Sequence, residues 1–501
     1  MSTRSYKDAV EQLNTLQSNA AALDAVRASG GRLSEFAIPE MLDYLERIGY
    51  SPGDLNALNV IHITGTKGKG STSAFADSIL RHAMPRWKIG LYTSPHLVAV
   101  RERIRINGVP ISEEQFAKFF FEVWDRLEGT EPKLSTTSPM PGYFRFITLV
   151  AFHAFLTLQV NATVLEVGVG GTYDSTNIVP KPIVTGITAL GIDHVAVLGK
   201  TLKEIAWQKG GIFKEGVPAF TVNQPEEGMS MLKARAIELK ASSLTVSPSI
   251  SALSDIKLGL AGIHQQQNAT LAAHLVKSFL ESQTSFQGSA LLPSSFVKGL
   301  EDAKWPGRCQ TVSDPNRVNT TWYLDGAHTT ESLSCCVQWF VSPGVGLGSH
   351  GEHKENSFRV LIFNCTSGRS GPTFLGSVQS NVSSQLKKYG RTENPEFFFT
   401  HVIFCANVTY ADGQFKGDLA TFSIATDDLA QLKTQRQLAS AWAELVPQFP
   451  SANIYVLPSI EHAVKEIEKL QLNSSVKVLV AGSLHLVGGV IEVAGLSGIA
   501  L

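Results

Sequence analysis

The chain has 501 residues, 43% of them apolar and 17% charged, and its 43 Lys and Arg against 44 Asp and Glu leave a net charge of −1. That length predicts two or three domains with sizeable cores, and the composition excludes long disorder and fibrous classes. A near-neutral chain gives no overall electrostatic case for nucleic acid or an anionic membrane. Five cysteines (Cys309, Cys335, Cys336, Cys365 and Cys405) are odd in number and show no C-x-x-C spacing. That speaks against a disulfide framework or a zinc module and fits a reducing compartment. The opening MSTRSYKDAVEQLNTL lacks the apolar core of a secretory signal, and the longest uncharged apolar tract near the end, 478–491, is shorter than a membrane span. A soluble cytoplasmic monomer with small-molecule partners is expected, with a mitochondrial form from an earlier start codon left open.

In chain order, the first 50 residues alternate polar and apolar positions at helical spacing, broken by Gly30-Gly31. From Leu58, short apolar runs at 59–64, 88–93, 162–167 and 182–189 read as buried strands, with helical stretches such as 71–82 and 146–158 between them. Such alternation predicts a parallel sheet covered on both faces. A second alternating region starts near Thr321 and continues through 359–364, 401–406, 452–457 and 477–481. The expected fold class is therefore α/β with two domains. A P-loop mononucleotide-binding domain with a mostly parallel sheet covers 1–312, a polar linker covers 313–320, and a smaller Rossmann-like α/β domain covers 321–501, with a cleft between the domains. The stretch 342–357, with its glycines, reads as an exposed insertion.

Between the first strand and the helix after it lies Gly65-Thr66-Lys67-Gly68-Lys69-Gly70-Ser71-Thr72. Glycines there can take φ > 0 and bring several N–H groups close to an anion, and the helix N-terminus adds favourable partial charge. Lys69 can reach terminal phosphate oxygens, while Ser71 and Thr72 place hydroxyls where a nucleotide-bound Mg²⁺ would sit. The match to G-x-x-x-x-G-K-[ST] is imperfect because Gly70 intervenes before Ser71, and an ordinary glycine-rich turn is the competing reading. Gly168-Val169-Gly170-Gly171 fails the dinucleotide pattern, since Tyr173 stands at its sixth position.

Further blocks follow in one order: LYTSPHL (91–97), RERIRIN (101–107), EVGVGGTYDSTN (166–177), Gly191–His194 with Leu198-Gly199, AWQKGGIFK (206–214), HQQQNA (264–269), WPGR (305–308) and LDGAH (324–328). Together with GTKGKGS (65–71) they resemble the folylpolyglutamate synthase family, within the ATP-dependent folate and Mur amide ligases. The C-terminal third resembles it more loosely, through Phe363-Asn364 and Gly482-Ser483-Leu484-His485. Family members often carry an Arg-Asp pair after the Phe-Asn strand; here the residues are Arg369-Ser370, which leaves any role for that aspartate in doubt.

The resemblance implies ATP-dependent addition of L-glutamate to the γ-carboxylate of a reduced folate through an acyl phosphate. It implies ATP and one or two Mg²⁺ ions, with Ser94, Glu166 and His194 as metal ligands. Independently of it, Glu166 falls at a strand's C-terminal end, where open α/β sheets place their ligand chemistry. By resemblance, Lys69, His194 and Lys209 are catalytic, and the family's lysine matching Lys209 can be carbamylated. A solvated surface lysine is the plainer alternative for Lys209. Asn268, Arg308 and Asp325 match ATP-contacting positions, and His328 and Ser483 are candidates for the incoming glutamate. A structural Arg308–Asp325 pair and a capping role for Asn268 are the plainer readings there. Two rival functions stay open: a dihydrofolate synthase joining glutamate to dihydropteroate, and a P-loop nucleotide switch with no amine acceptor.

Overall fold

A computed structural model describes residues 4–17, 35–284, 286, 292–348, 357–365, 370–419, 430–472 and 474–501. Gly30-Gly31, Arg369 and residues 349–356 of the stretch 342–357 lie outside the described residues. Two compact units divide the chain. The first comprises Met1–His96, Val100–Gly259 and Gln265–Lys304; the second comprises Leu97–Ala99, Leu260–His264 and Trp305–Leu501.

The first unit is built on eight strands: β1 (Val60–Thr64), β2 (Ile89–Tyr92), β3 (Ile104–Ile106), β4 (Val109–Pro110), β5 (Ala162–Glu166), β6 (Val184–Ile187), β7 (Pro218–Thr221) and β8 (Ser243–Val246). Their order is β4-β3-β2-β5-β1-β6-β7-β8. Neighbours from β2 to β8 run parallel, and β3 and β4 add an antiparallel edge. β1, β2, β5 and β6 are buried at every position, as strands covered on both faces must be. The helix Lys69–Ala83 leaves the end of β1 and is buried from Ser71 through Leu80. Its neighbour Ser294–Asp302 approaches so closely that a Cβ on Gly299 would come within 2.6 Å of Ile79 Cα. On another side, Ser112 and Gln115 form a capping box that starts the helix Glu113–Glu128, whose Phe120 packs against Phe146 of the helix Tyr143–Leu158 with ring centroids 4.9 Å apart.

The second unit has β9 (Gln310–Ser313), β10 (Thr320–Leu324), β11 (Ser357–Phe363), β12 (His401–Cys405), β13 (Ile454–Leu457) and β14 (Ser475–Ala481), in the order β13-β12-β11-β14-β10-β9. All pairs are parallel except β9 with β10. The two-domain α/β class with mostly parallel sheets is therefore as expected. The segment 313–320 differs from the expected linker, because it is the turn of the β9–β10 hairpin within this unit. Asp314 holds it: Oδ1 accepts the N–H groups of Asn316 and Arg317, and Oδ2 accepts Trp322 Nε1 at 2.8 Å. The start of the expected insertion is likewise not wholly exposed. Leu347 is 1% exposed, and Tyr323 Oη and Lys477 Nζ both donate to the Val345 carbonyl. Among the described residues no helix is long and apolar enough to cross a membrane.

Candidate active site

At the carboxyl end of β1 the chain passes through Gly65 at φ 149° and Gly68 at φ 90° before entering the helix Lys69–Ala83. Space as well as conformation demands glycine at both. A Cβ on Gly65 would lie 1.8 Å from Thr188 Oγ1, and one on Gly68 would lie 2.2 Å from Asn268 Oδ1. Lys69 opens the helix, and its Nζ donates back to the Gly65 carbonyl at 3.1 Å. Ser71 and Thr72 are buried in the first turn. Ser71 Oγ accepts Gln265 Nε2 at 3.3 Å, and Gln265 Oε1 accepts Asn268 Nδ2 at 2.9 Å. Asn268 is thus a buried residue packed on the loop, inside the helix Gln265–Gln283 rather than capping it. Thr72 Oγ1 and Thr188 Oγ1 are buried with no hydrogen-bond partner. A nucleotide's phosphate oxygens are the chemistry such a cradle of glycines, hydroxyls and lysines fits.

The same loop is laced to the segment after β6. Thr66 and Lys67 N–H both donate to the Ala189 carbonyl, at 3.0 and 3.1 Å, and the Thr66 hydroxyl exchanges bonds with the Gly191 backbone. Lys67 Nζ pairs with Asp193 Oδ2 at 3.2 Å. Burial pushes the Asp193 carboxyl up, yet Lys67 and His194 outweigh it and hold its pKa down to about 2. Asp193 Oδ1 also accepts the His194 N–H at 2.9 Å.

Lys209 is not a surface lysine. The Thr201–Glu204 capping box starts its helix, Leu202–Gly210, and the side chain runs inward to 3% exposure of the residue. Its Nζ donates to the Gly65 carbonyl at 2.8 Å, so Lys69 and Lys209 converge on one oxygen. Burial, and then the charge of Lys69, hold the amine's pKa well below its ordinary value. Room for this helix comes from the glycines that mimicked a dinucleotide motif: a Cβ on Gly171 would come within 2.7 Å of the Gln208 carbonyl.

Of the expected metal ligands, the structure brings Ser94 and Glu166 together. Glu166 ends β5 beside Ile63 of β1, is 3% exposed, and its Oε2 accepts the Ser94 N–H at 3.1 Å. His194 stands in left-handed backbone at φ 50° on the exposed Asp193 loop. Among the described residues no three His, Cys, Asp or Glu side chains converge in a way that could hold a metal ion. A carboxylate next to a hydroxyl-bearing residue, completed by waters, is chemistry that Mg²⁺ accepts without such a cluster.

In the second unit Asp325 follows β10 and is 7% exposed. Its Oδ2 accepts the Cys309 N–H at 2.7 Å and its Oδ1 the Ala327 N–H at 2.8 Å. No ion pair joins it to Arg308 among the described residues, so the plain structural pair is not what forms; Arg308 Nη1 instead donates to the Gly307 carbonyl at 3.3 Å. His264 belongs to the same cluster: burial lowers its pKa, Asp325 raises it and Arg308 lowers it. His328 Nδ1 lies 2.8 Å from the Gly326 carbonyl. Gly482 N–H donates to the Ala327 carbonyl at 2.8 Å, which sets the loops carrying His328 and Ser483 side by side. Asp193, Gln265, Thr188 and His264 were not singled out from the sequence. Asp193, Gln265 and His264 lie inside the quoted blocks, whereas nothing local marks Thr188.

No family model matches the chain. Folylpolyglutamate synthases of Saccharomyces cerevisiae strains FostersO and AWRI796 are 45% identical to it over 505 residues, spanning 98% of this chain and 87% of theirs. Among solved structures, a Mycobacterium tuberculosis folylpolyglutamate synthase complexed with ADP is similar with a TM-score of 0.69 at 22% identity, covering 94% of this chain and 97% of that one. E. coli FolC in complex with DHPP and ADP is similar with a TM-score of 0.63 at 23% identity, covering 96% and 99%. These two likenesses are of fold.

Proposed function

Since the chain belongs to the folylpolyglutamate synthase family, we propose that it joins L-glutamate to the γ-carboxylate of a reduced, already glutamylated folate, with ATP becoming ADP and phosphate. The observation that carries this reading is the convergence of Lys69 and Lys209 on the Gly65 carbonyl, at the mouth of a loop whose glycines admit no side chain. A carboxylate is a poor electrophile, and phosphorylating it gives an acyl phosphate that an amine can attack. Such transfer needs positioning and charge neutralisation more than covalent help from protein groups.

On this reading each residue takes a part that its placement or the resemblance supports. The backbone of 65–72 orients the phosphates. Lys69 leaves the Gly65 carbonyl for a terminal phosphate oxygen, and Lys67, fixed by Asp193, offers a second cation at the loop's rim. Asn268 with Gln265 braces Gly68 and Ser71. We assign Arg308 and Asp325 to the nucleotide and His328 and Ser483 to glutamate. Magnesium, held by Ser94, Glu166 and His194, would supply further neutralisation of the phosphates. Lys209 is kept as an amine fit to add CO₂ and release a proton, which gives an anionic oxygen donor suited to a second ion.

The test is product mass spectrometry with ATP and glutamate against a tetrahydrofolate monoglutamate and against dihydropteroate, alongside phosphate release. Glutamate should be added to the folate, with phosphate released only when folate and glutamate are both present. Dihydropteroate as the sole acceptor would overturn the substrate assignment, and phosphate release without an acceptor would indicate a nucleotide switch.

A further inference from the structure

Three neighbouring parallel strands of the second unit each end in a buried polar side chain: Asn364 after β11, Asn407 after β12 and Ser483 after β14, exposed by only 4%, 8% and 6%. Gln435, 5% exposed, joins the row from the helix Lys433–Leu445. The four form one chain of hydrogen bonds that runs in a single direction. Gln435 Nε2 donates to Asn364 Oδ1 at 3.0 Å, Asn364 Nδ2 to Asn407 Oδ1 at 3.1 Å, and Asn407 Nδ2 to Ser483 Oγ at 3.4 Å. Buried amides cost stability unless every member is satisfied, and apolar residues could fill the same space without that cost. The row therefore calls for a use, and it lies where open α/β sheets bind ligands, at the strands' carboxyl ends.

Its terminus points to what that use is. Ser483 is the N-cap of the ten-residue helix Leu484–Val493, a position where serine ordinarily turns its oxygen onto the helix's own N–H groups. Ser483 makes no such bond. Its oxygen accepts from Asn407 instead, which leaves the hydroxyl proton to donate to something else. The helix N-terminus adds positive partial charge at the same spot. The backbone keeps the serine in place: Gly482 adopts φ 104°, and a Cβ there would meet the Asn364 carbonyl at 2.0 Å.

We infer that Asn407, Asn364 and Gln435 are positioning residues that fix Ser483 as a hydrogen-bond donor to a carboxylate of the incoming amino acid. The inference rests on the assignment of Ser483 to glutamate made above. A charged carboxylate oxygen accepts from the hydroxyl more strongly than the neutral oxygen of an amide does. The row thus favours a dicarboxylic amino acid over its side-chain amide.

The experiment is steady-state kinetics of the full-length enzyme with each of its three substrates varied in turn. Asn407→Asp replaces the donor facing Ser483 by an acceptor, so the hydroxyl turns inward. KM for glutamate should rise 10- to 100-fold, the range expected for losing a hydrogen bond to a charged group, while KM for ATP and for folate stays within about threefold. Ser483→Ala should show a similar rise, and Asn407→Asp added to it should cost little more, because both act through one hydroxyl. Asn364→Asp, two links away, should reverse the row in the same sense. Should Asn407→Asp not fold, the cycle is run with Asn407→Ala. An unchanged KM for glutamate in a folded Asn407 variant, an equal rise for all three substrates, or full additivity with Ser483→Ala would overturn the inference. Wild-type enzyme that adds no glutamate to a folate would instead overturn the functional reading beneath it.

Discussion

Lys209 puts an amine where folding works against its charge, and Lys209→Met measures by how much. The substitution keeps an unbranched chain of similar length and removes only the nitrogen. Burial, with Lys69 beside it, holds the folded pKa well below the ordinary 10.5. Between the depressed pKa and 10.5, the unfolded chain therefore binds one more proton than the folded one, so wild-type stability rises with pH through that window. Each unit is worth about 1.4 kcal/mol. Below 10.5 the folded state must expel that proton, at a cost that grows as pH falls until the depressed pKa is reached. Losing the 2.8 Å bond to the Gly65 carbonyl takes back about 1 kcal/mol, and Lys69 still donates to that oxygen. The Met variant should thus be more stable than wild type at pH 8, with the advantage shrinking as pH rises towards 10.5. It should also be nearly inactive. Urea denaturation in CO₂-free buffer without nucleotide, followed by hydrogen exchange across Leu202–Gly210, reads the difference. A Met variant less stable than wild type at pH 8, or an advantage that does not shrink as pH rises, would refute the reasoning.

Gly65→Ala forces a Cβ to within 1.8 Å of Thr188 Oγ1 and 3.0 Å of the Thr188 nitrogen at φ 149°. Nucleotide binding should be lost, with about 2–4 kcal/mol of stability; adding Thr188→Ala should restore part of the melting temperature, since it clears only the hydroxyl. Lys67→Met and Asp193→Asn should each raise KM for ATP, and the double variant should fall short of their product by about fivefold, the coupling expected of a partly exposed ion pair worth about 1 kcal/mol; complete additivity would show that the pair does not position the loop. His62 is buried with its pKa lowered to about 3, by burial first and then by Lys214. The unfolded state takes up a proton below 6.5 that the folded state refuses, so stability falls as pH drops from 6.5 towards 3, by about 2 kcal/mol at pH 5. His62→Gln keeps a bonding partner for Thr176 Oγ1 and should flatten the urea midpoint over that range; an unchanged acid slope would place the lability elsewhere.

The central strands were legible because burial on both faces leaves an uninterrupted apolar run: β1, β2, β5, β6 and β10 to β14 each fall on a stretch that composition alone picks out. The strands that escaped are short or lie towards the sheet edges. β4 has two residues, one of them proline, and β8 has no fully buried position. A half-exposed strand of that length has too few residues for a period of two to stand out. The linker was misplaced for a related reason. Ser313-Asp314-Pro315-Asn316-Arg317 has the composition of a loop, and it is one, but a hairpin turn and an interdomain linker use the same residues. What separates them is the pairing of β9 with β10 and the bond from Trp322 to Asp314, neither of which the loop's own composition shows.

The site divides along the same line. Glycines at 65 and 68 announce themselves, since a loop needing φ > 0 between a buried strand and a helix has few other solutions. Lys209 is marked only by the resemblance, because lysine in an amphipathic stretch otherwise reads as solvated until the opposing surface is known, and here that surface is the carbonyl of Gly65, 144 residues away in sequence. Thr188 is still less visible: its role comes from a clash that only another residue's missing Cβ avoids. The row from Gln435 to Ser483 draws its members from four separate segments of the chain; Ser483 and Asn364 lie in blocks the resemblance marks, but nothing local marks Asn407 or Gln435 or joins the four. Chemistry carried by one segment can be read from its residues. Chemistry that depends on which atom donates to which across several strands exists only once the sheet has set their order, and it is there that substitutions one or two bonds removed from a substrate should be sought.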